Sequence, residues 1–425
     1  MTALVAVLNR KSVAIAADSA VTVGNTHKVV NCGNKIFTLS KYEPISVMTY
    51  NYASFMGTPW EIIIKEYRKQ LKEQKKNTVE LYQKDFIDYL YSENFFANSR
   101  IQENYLEILL SEFYKANLNV TKNKTLLTVS DPNFYPHFIS EVRDCMQNNS
   151  NAPKIPGFEY YSLGRFTDYS RNIMDKFFAS SLEVSVHDED KDLFFRSFYQ
   201  FVRCPVVNSG YTGLVFVGYG ENELFPSMVP IKIMGAFDGL LRYVVDTDLS
   251  CQIKNDDTGS SVYICPFAQI DVTQTIIRGI NPKLHEIINQ VIANTTSQLM
   301  NAVRGEVAKI QGNDVVKNAI NALDPEKIIN AVQKQISVEM RKTYTDPLLS
   351  TVDMLDKEDL ANVAESLISL TSLVRRMQPG EETVGGPVDV AVISKGDGFI
   401  WIKRKHYFKS EYNQSFMMNY FKNNE

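Results

Sequence analysis

Residues near the start of the chain have types and an order that could support nucleophilic chemistry. If Met1 is removed, which the small residue at position 2 permits, Thr2 carries a hydroxyl and an α-amino group on one residue. An α-amine has an ordinary pKa of about 7.7–8.0, so much of it can be neutral at cellular pH. It can then act as general base for the hydroxyl of the same residue, and no histidine is required.

Such a nucleophile needs a cation nearby, which favours the neutral amine and stabilises developing negative charge. It also needs an anion that fixes the cation. Asp18 and Lys35 are suitable, because Asp18 stands at the end of the neighbouring predicted strand and Lys35 stands at the start of the next one. The sequence therefore predicts a group made of Thr2, Asp18 and Lys35.

The sequence predicts that β-strands position this group. Apolar runs at Ala3–Leu8 and Val13–Ala17 flank the polar turn 9–11, and further strand-like segments follow at Lys35–Leu39 and Ile45–Tyr50. A nucleophile has to be held rigidly to keep its attack geometry, and a strand that starts directly after Thr2 would do so.

These residues resemble the proteasome β-subunits and the related bacterial threonine peptidase, within the N-terminal-nucleophile (Ntn) hydrolases. The resemblance rests on Thr2, the following strand, "AADSAVTVGNT" at Ala16–Thr26 and "KIF" at Lys35–Phe37. It implies that Thr2, Asp18 and Lys35 are catalytic.

The resemblance also implies substrate-binding positions. Thr22 matches a position whose backbone holds a peptide substrate, and Ser19 matches the serine that often follows the aspartate. Glu381, in "EETVGGPVDVAVI", is the best match for an acidic helper residue. A backbone N–H near Tyr50 and Asn51 would form the oxyanion hole, although the family has a glycine pair there.

The same resemblance predicts the fold class: α/β, a four-layer αββα sandwich of two antiparallel sheets between helices, with large helical insertions. The predicted segments are 1–75 for the first half of the core, 76–205 for a helical insertion, 206–280 for central strands, 281–350 for a second helical insertion, and 351–425 for the final helix and strands.

Local signals predict several boundaries and turns. Thr58-Pro59-Trp60-Glu61 has the pattern of a capping box and predicts a helix from Trp60 to about Lys75. Asp324-Pro325 and Asp346-Pro347 predict the caps of two further helices, and Gly396-Asp397-Gly398 predicts a hairpin turn. "HDED" at 187–190 is interpreted as a solvated turn, with a metal site as the alternative.

The composition excludes some functions. A net charge of −4 gives no reason to expect nucleic acid or an anionic membrane as a partner. The five cysteines form no metal-binding or paired spacing, and no run approaches the ~20 apolar residues of a membrane span. We therefore expect a cytoplasmic protein without cofactor or metal.

The predicted function is that of a threonine-type Ntn hydrolase, a threonine protease or amidohydrolase that cleaves peptide or other amide bonds. One alternative is a non-catalytic proteasome-like subunit that serves assembly or partner binding, and another is a small-amide hydrolase of the same superfamily. The expected partners are a peptide or small amide substrate, further copies of the chain in a homo-oligomer, and an ATPase or adaptor.

Overall fold

The structure is a computed structural model of the 425-residue chain. It describes residues 2–23, 28–255, 260–309, 312, 314–378, 384–406, 408–415 and 418. The chain divides into two compact units. The N/C unit consists of Met1–Gly33 and Gln252–Glu425, and the central unit consists of Asn34–Cys251. Both are mixtures of helices and antiparallel sheet, so the protein is of the mixed α/β class.

The strands are β1 (Ala3–Leu8), β2 (Val13–Ala17), β3 (Val21–Val23), β4 (Lys28–Val30), β5 (Ile36–Thr38), β6 (Ile45–Asn51), β7 (Ser54–Phe55), β8 (Thr58–Pro59), β9 (Thr212–Gly218), β10 (Ser227–Phe237), β11 (Leu240–Val245), β12 (Cys251–Gln252), β13 (Tyr263–Ala268), β14 (Asp389–Ser394) and β15 (Gly398–Lys403).

The helices are α1 (Trp60–Leu71), α2 (Val79–Ser92), α3 (Ser99–Thr125), α4 (Phe134–Asn151), α5 (Leu163–Ala179), α6 (Lys191–Arg203), α7 (Asp271–Arg278), α8 (Pro282–Ala308), α9 (Asp314–Asn321), α10 (Pro325–Met340), α11 (Asp346–Met354) and α12 (Lys357–Met377). Short 3₁₀ turns lie at Asp188–Asp190 and Ser410–Tyr412, and a π-helical turn lies at Arg341–Thr345. None of the helices in the described ranges is long and apolar enough to cross a membrane.

The sheet of the N/C unit has the strand order β13-β1-β2-β14-β15, and all its pairs are antiparallel. The predicted bounds of β1 and β2 are confirmed. Asn9 closes the turn between them, because its side-chain oxygen accepts hydrogen bonds from the backbone N–H groups of Lys11 at 2.9 Å and Ser12 at 3.1 Å. Its side-chain amide donates to the carbonyls of Val352 and Leu355, which ties this turn to the end of α11.

Helix α12 covers one face of this sheet. Successive strand residues point to opposite faces, so Ala3, Val5 and Val7 of β1 share the face that packs against Leu360 and Ile368 of α12. The other face of β1 is apolar as well, and its residues are also buried. A strand that is buried on both faces has apolar residues at successive positions. This explains why polar and apolar residues do not alternate along β1.

The sheet of the central unit contains the antiparallel order β11-β10-β9-β6-β5. Helices α1 and α2 pack on it through Trp60, Ile63, Tyr82 and Phe86, which form one apolar core with strand residues such as Phe216. The aromatic rings contact one another directly, with Phe86 and Phe216 centroids 5.5 Å apart. This core fixes the edge of the sheet on which β5 and β6 lie.

Helices α3 to α6 form a second core in the central unit. The aromatic richness of residues 99–203 is explained by ring packing between these helices; Phe113 and Phe194, for example, have centroids 5.2 Å apart. Arg242 of β11 is completely buried beside this core. Its guanidinium donates to the carbonyls of Val202, Cys204 and Val206 and to the hydroxyl of Tyr105.

Two predicted helix caps are wrong, although α1 begins at Trp60 as predicted and ends at Leu71, before the predicted Lys75. Thr58 does not cap α1, because Thr58 and Pro59 form the two-residue strand β8, in which Thr58 pairs with Phe55, and no side chain caps the helix. Asp346 does not cap α11 either, because the π-helical turn runs directly into that helix and Asp346 instead accepts a hydrogen bond from Arg341. Asp324, in contrast, caps α10 by accepting from the N–H of Glu326.

Candidate functional site

Thr2 lies immediately before β1 and is buried, with 6% of its surface exposed. Its carbonyl accepts a hydrogen bond from the backbone N–H of Gln269 at 3.3 Å. The next residue, Ala3, pairs with Ala268 at the end of β13. Thr2 is therefore held at one end of the N/C unit sheet, as a rigid nucleophile would require.

Asp18 follows β2 directly and has no exposed surface. One of its carboxylate oxygens accepts from the backbone N–H of Ala3 at 2.8 Å, and the other accepts from the N–H groups of Ala20 at 3.1 Å and Gly385 at 3.2 Å. The backbone N–H of Asp18 donates in return to the carbonyl of Ala3 at 3.1 Å. Asp18 therefore fixes the peptide group that follows Thr2.

Ser19 joins this arrangement to the segment that precedes β14. Its N–H donates to the carbonyl of Gly385 at 3.1 Å and its hydroxyl donates to the carbonyl of Pro387 at 2.5 Å. Gly386 has a φ of +75°, and a Cβ there would lie 2.8 Å from the Cβ of Asn31, so a glycine is required at this close approach. The hydroxyl of Ser19 is thus engaged in holding the 385–387 segment.

Two further predicted positions are described incompletely or not at all. Thr22 lies in β3, where its backbone pairs with Val29, and its side chain is outside the described part of the chain. Glu381 also lies outside the described residues. Their predicted roles stay predictions.

Lys35 belongs to the central unit, one residue before β5. Its side chain is buried, with 5% of the residue exposed, and its carbonyl accepts from the N–H of Thr49 at 2.8 Å. Because β5 and β6 are antiparallel neighbours, this bond places Lys35 at the same end of the strand pair as Tyr50 and Asn51. Three of the predicted site residues are therefore grouped within the central unit.

Tyr50 lies opposite Gly213 on the neighbouring strand. A Cβ on Gly213 would lie 2.0 Å from the ring of Tyr50, so the ring covers this glycine at van der Waals distance. Burial raises the pKa of Tyr50 well above its ordinary value, and Tyr211 and Asp246 raise it further. The hydroxyl of Tyr50 is therefore neutral throughout the physiological range.

Asn51 is exposed and adopts a left-handed conformation with a φ of 67°. Asparagine tolerates this region better than other non-glycine residues. The backbone around it is fixed by a short hydrogen-bond chain, in which the indole of Trp60 donates to the hydroxyl of Thr212 and this hydroxyl donates to the carbonyl of Tyr52, each at 3.0 Å. The chain direction at Asn51 is thus set by packed neighbours.

Two features of the site were missed in the sequence. Ala268 has a φ of 65°, and its left-handed turn presents the N–H of Gln269 to the carbonyl of Thr2. Gly385 supplies an N–H to Asp18 over a separation of 367 residues. Alanine rarely adopts a positive φ, so the sequence does not indicate one at Ala268. Any residue can supply a backbone N–H, so the sequence does not indicate which residue donates to Asp18.

At 187–190 the structure brings the residues of the alternative metal site close together. One ligand atom from each of His187, Glu189 and Asp190 lies within 4.8 Å of the others. Tyr135 accounts for this geometry: its ring stacks on His187 at 3.8 Å, and its hydroxyl accepts from the N–H of His187 and donates to Asp190. Tyr135 of α4 therefore holds the turn, in which His187 and Glu189 are exposed.

No protein-family model matches the chain, and no curated protein matches it. Among solved structures, the (Gly-1) mutant of Anbu from Hyphomicrobium sp. strain MC1 is similar, at 10% identity and a TM-score of 0.30. The similarity covers 99% of this chain and 97% of that one. A TM-score of this size does not establish a common fold.

Proposed function

We propose that the protein is a threonine-type Ntn hydrolase that cleaves peptide or other amide bonds after removal of Met1. The observation that carries the proposal is the hydrogen bond from the N–H of Ala3 to the buried carboxylate of Asp18. It holds the carboxylate of Asp18 beside the peptide group that joins Thr2 to Ala3, and Thr2 and Asp18 are two of the three residues that the resemblance implies as catalytic.

The proposed reaction begins at the hydroxyl of Thr2. Its oxygen attacks the carbonyl carbon of the amide, while the α-amine of Thr2, through a water molecule, takes the hydroxyl proton. The C–N bond then breaks, the leaving amine departs with that proton, and the acyl group stays on Thr2 as an ester. Water hydrolyses this ester, which releases the acid and restores the hydroxyl.

Lys35 and a backbone N–H complete the proposal. Lys35 would lower the pKa of the α-amine and stabilise negative charge, and Asp18 would orient it. An N–H near Tyr50 and Asn51 would hold the oxyanion. The left-handed conformation of Asn51 supports this role, because strained backbone is frequently found where a donor has to be turned toward a ligand.

The proposed architecture is the αββα sandwich. Each unit has a sheet with helices on one face, namely α12 in the N/C unit and α1 with α2 in the central unit. The remaining face of β1 and that of β9 are also apolar, and stacking of the two sheets is the arrangement that we propose.

The first test is the mass of the natural protein's N-terminal peptide. The proposal requires Thr2 to be the terminal residue, since only then does it carry a free amine. A retained Met1 in the purified natural protein would overturn the proposal and leave the non-catalytic subunit as the better account.

The second test is covalent labelling with an epoxyketone or β-lactone probe. We expect label on Thr2 that is absent in Thr2→Ala and regained in Thr2→Ser, because serine supplies the same hydroxyl. Lys35→Ala should abolish labelling, while the matched control Lys41→Ala, at an exposed position in the following turn, should not. Undiminished labelling in Lys35→Ala would show that Lys35 has no catalytic role.

A further inference from the structure

Helices α8 and α10 are packed together within the N/C unit but bury very little. The guanidinium of Arg304, near the end of α8, donates to the carbonyl of Leu323, just before α10, at 2.7 Å. Met300 is the buried residue of α8, and α10 contributes none within the described ranges. Helices in proteins are stabilised mainly by packing of an apolar face, so this pair lacks most of the burial that its apolar content could provide.

Each of the two helices carries exposed apolar residues along one side, and we call these two sets together the outer stripe. On α8 it consists of Leu284, Ile287, Val291 and Leu299, which are 50%, 47%, 57% and 62% exposed. On α10 it consists of Ile328, Val332 and Val338, which are 40%, 40% and 50% exposed. Successive stripe residues are three, four and eight positions apart on α8, and four and six apart on α10. At 3.6 residues per turn these side chains fall within about a third of the circumference of each helix, as in helices that pack against a partner.

The distribution of charge over α8 to α10 is compatible with association between two copies of the chain. The 17 residues from Ile287 to Val303 include no Asp, Glu, Lys or Arg. Over residues 282–340 there are six Lys and Arg and six Asp and Glu, so the segment is neutral. A second copy would meet no like-charge repulsion, and a strongly acidic or basic partner would find no complementary field.

The size of the surface is sufficient for a dimer. At 1.5 Å per residue α8 is about 40 Å long and α10 about 24 Å, and with a width of about 10 Å each they present roughly 600 Å². Specific interfaces bury about 800 Å² per partner and need about 500 Å² at the lower end.

We propose that the outer stripe binds the outer stripe of a second copy of this chain around a two-fold axis. The two helices of each copy would then form a four-helix arrangement in which the stripe residues are buried. A two-fold interface uses the same patch on both subunits, which is the requirement that a neutral apolar stripe meets. The proposal does not depend on the hydrolase activity.

The test is sedimentation of the full chain over a range of concentrations. The unsubstituted protein should be a dimer, and Val291→Lys with Leu299→Lys should raise its dissociation constant about a hundredfold or more, because two buried apolar side chains are replaced by charges. The control pair Gln290→Lys with Ser297→Lys lies on another side of α8 and should leave the dimer intact. Circular dichroism checks the fold, and Val291→Gln with Leu299→Gln serves if the lysine variant fails to fold.

A mixing experiment identifies the partner surface. Chains with Val291→Lys and chains with Val291→Glu should each associate weakly alone. They should associate again when mixed, because the outer stripe of one copy would then carry a positive charge and that of the other copy a negative charge. A monomeric unsubstituted protein at every concentration, equal weakening by the control pair, or no recovery on mixing would each overturn the proposal.

Discussion

The carboxylate of Asp18 accepts a hydrogen bond from the backbone N–H of Ala3 at 2.8 Å. This contact connects the end of β2 to the start of β1, and the return bond from the N–H of Asp18 to the carbonyl of Ala3 makes it reciprocal. The position of Thr2 is therefore set by Asp18 through the backbone, before any role of Asp18 toward a cation is considered.

We predict that Asp18→Asn destabilises the protein by about 1–3 kcal/mol. The asparagine amide group would face either the N–H of Ala3 or the N–H groups of Ala20 and Gly385, and a buried donor would lose its acceptor. Urea unfolding measures the change. The control Asp168→Asn, at an exposed position on α5, should leave the unfolding midpoint nearly unchanged; an equal effect of both substitutions would contradict the prediction.

Gly213→Ala should destabilise the protein by about 1–3 kcal/mol, because the added methyl group would overlap the ring of Tyr50. A double-mutant cycle isolates this contact: in a Tyr50→Ala background the same substitution should cost much less. Additive effects in the two backgrounds, measured by urea unfolding, would show that the ring of Tyr50 does not cover Gly213.

Arg242→Met should cost about 3 kcal/mol of unfolding free energy, since it leaves the buried carbonyls of Val202 and Cys204 and the hydroxyl of Tyr105 without their donor. Arg242→Lys should lose somewhat less, because an ammonium group can donate to part of the same set. Thermal and urea unfolding measure both variants. Arg171→Met, at an exposed position, is the control, and a stability of Arg242→Met close to that control would refute the role of Arg242.

The protein should lose stability in alkaline solution, in part through Tyr82. Burial raises the pKa of Tyr82 to about 12, whereas a tyrosine in the unfolded chain has a pKa near 10. The folded state therefore retains this proton more tightly, and the contribution is complete below about pH 10 and is lost as the pH rises through 12. Unfolding by urea at pH 9 and pH 11 should show a smaller decline in Tyr82→Phe than in the unsubstituted protein, and exposed Tyr42→Phe should behave like the unsubstituted protein.

The strands could be predicted well where apolar runs are bounded by turn residues. The bounds of β1 and β2 match the runs in the sequence, and the hairpin of β14 and β15 turns at the predicted Gly396–Gly398. The pairing of β1 with β13 was not predictable, because it joins residues such as Ala3 and Ala268 through no local signal. Thr58 shows the reverse case, in which a strong local signal for a helix cap is overridden by strand pairing.

For the candidate site, the sequence identified the side chains but not the backbone N–H groups that hold them in place. The placement of Thr2 and Asp18 next to each other follows from the β1–β2 hairpin and was predictable from its short turn. The N–H groups of Gly385 and Gln269 reach the site from distant parts of the chain, and backbone donors of this kind are independent of residue type. The left-handed conformation of Asn51 agrees with the tolerance expected of asparagine.

The division of the chain has a consequence for biosynthesis. The hairpin of β1 and β2 leaves the ribosome before the central unit, but β13 and β14, which pair with it on either side, follow only after the whole of Asn34–Cys251 has been made. At 5–20 residues per second this takes roughly 10–40 s. The central unit is continuous in sequence and can complete its own sheet in that time, so we expect the nascent N-terminal hairpin to wait with unpaired edges, as a binding site for chaperones, until the C-terminal strands emerge.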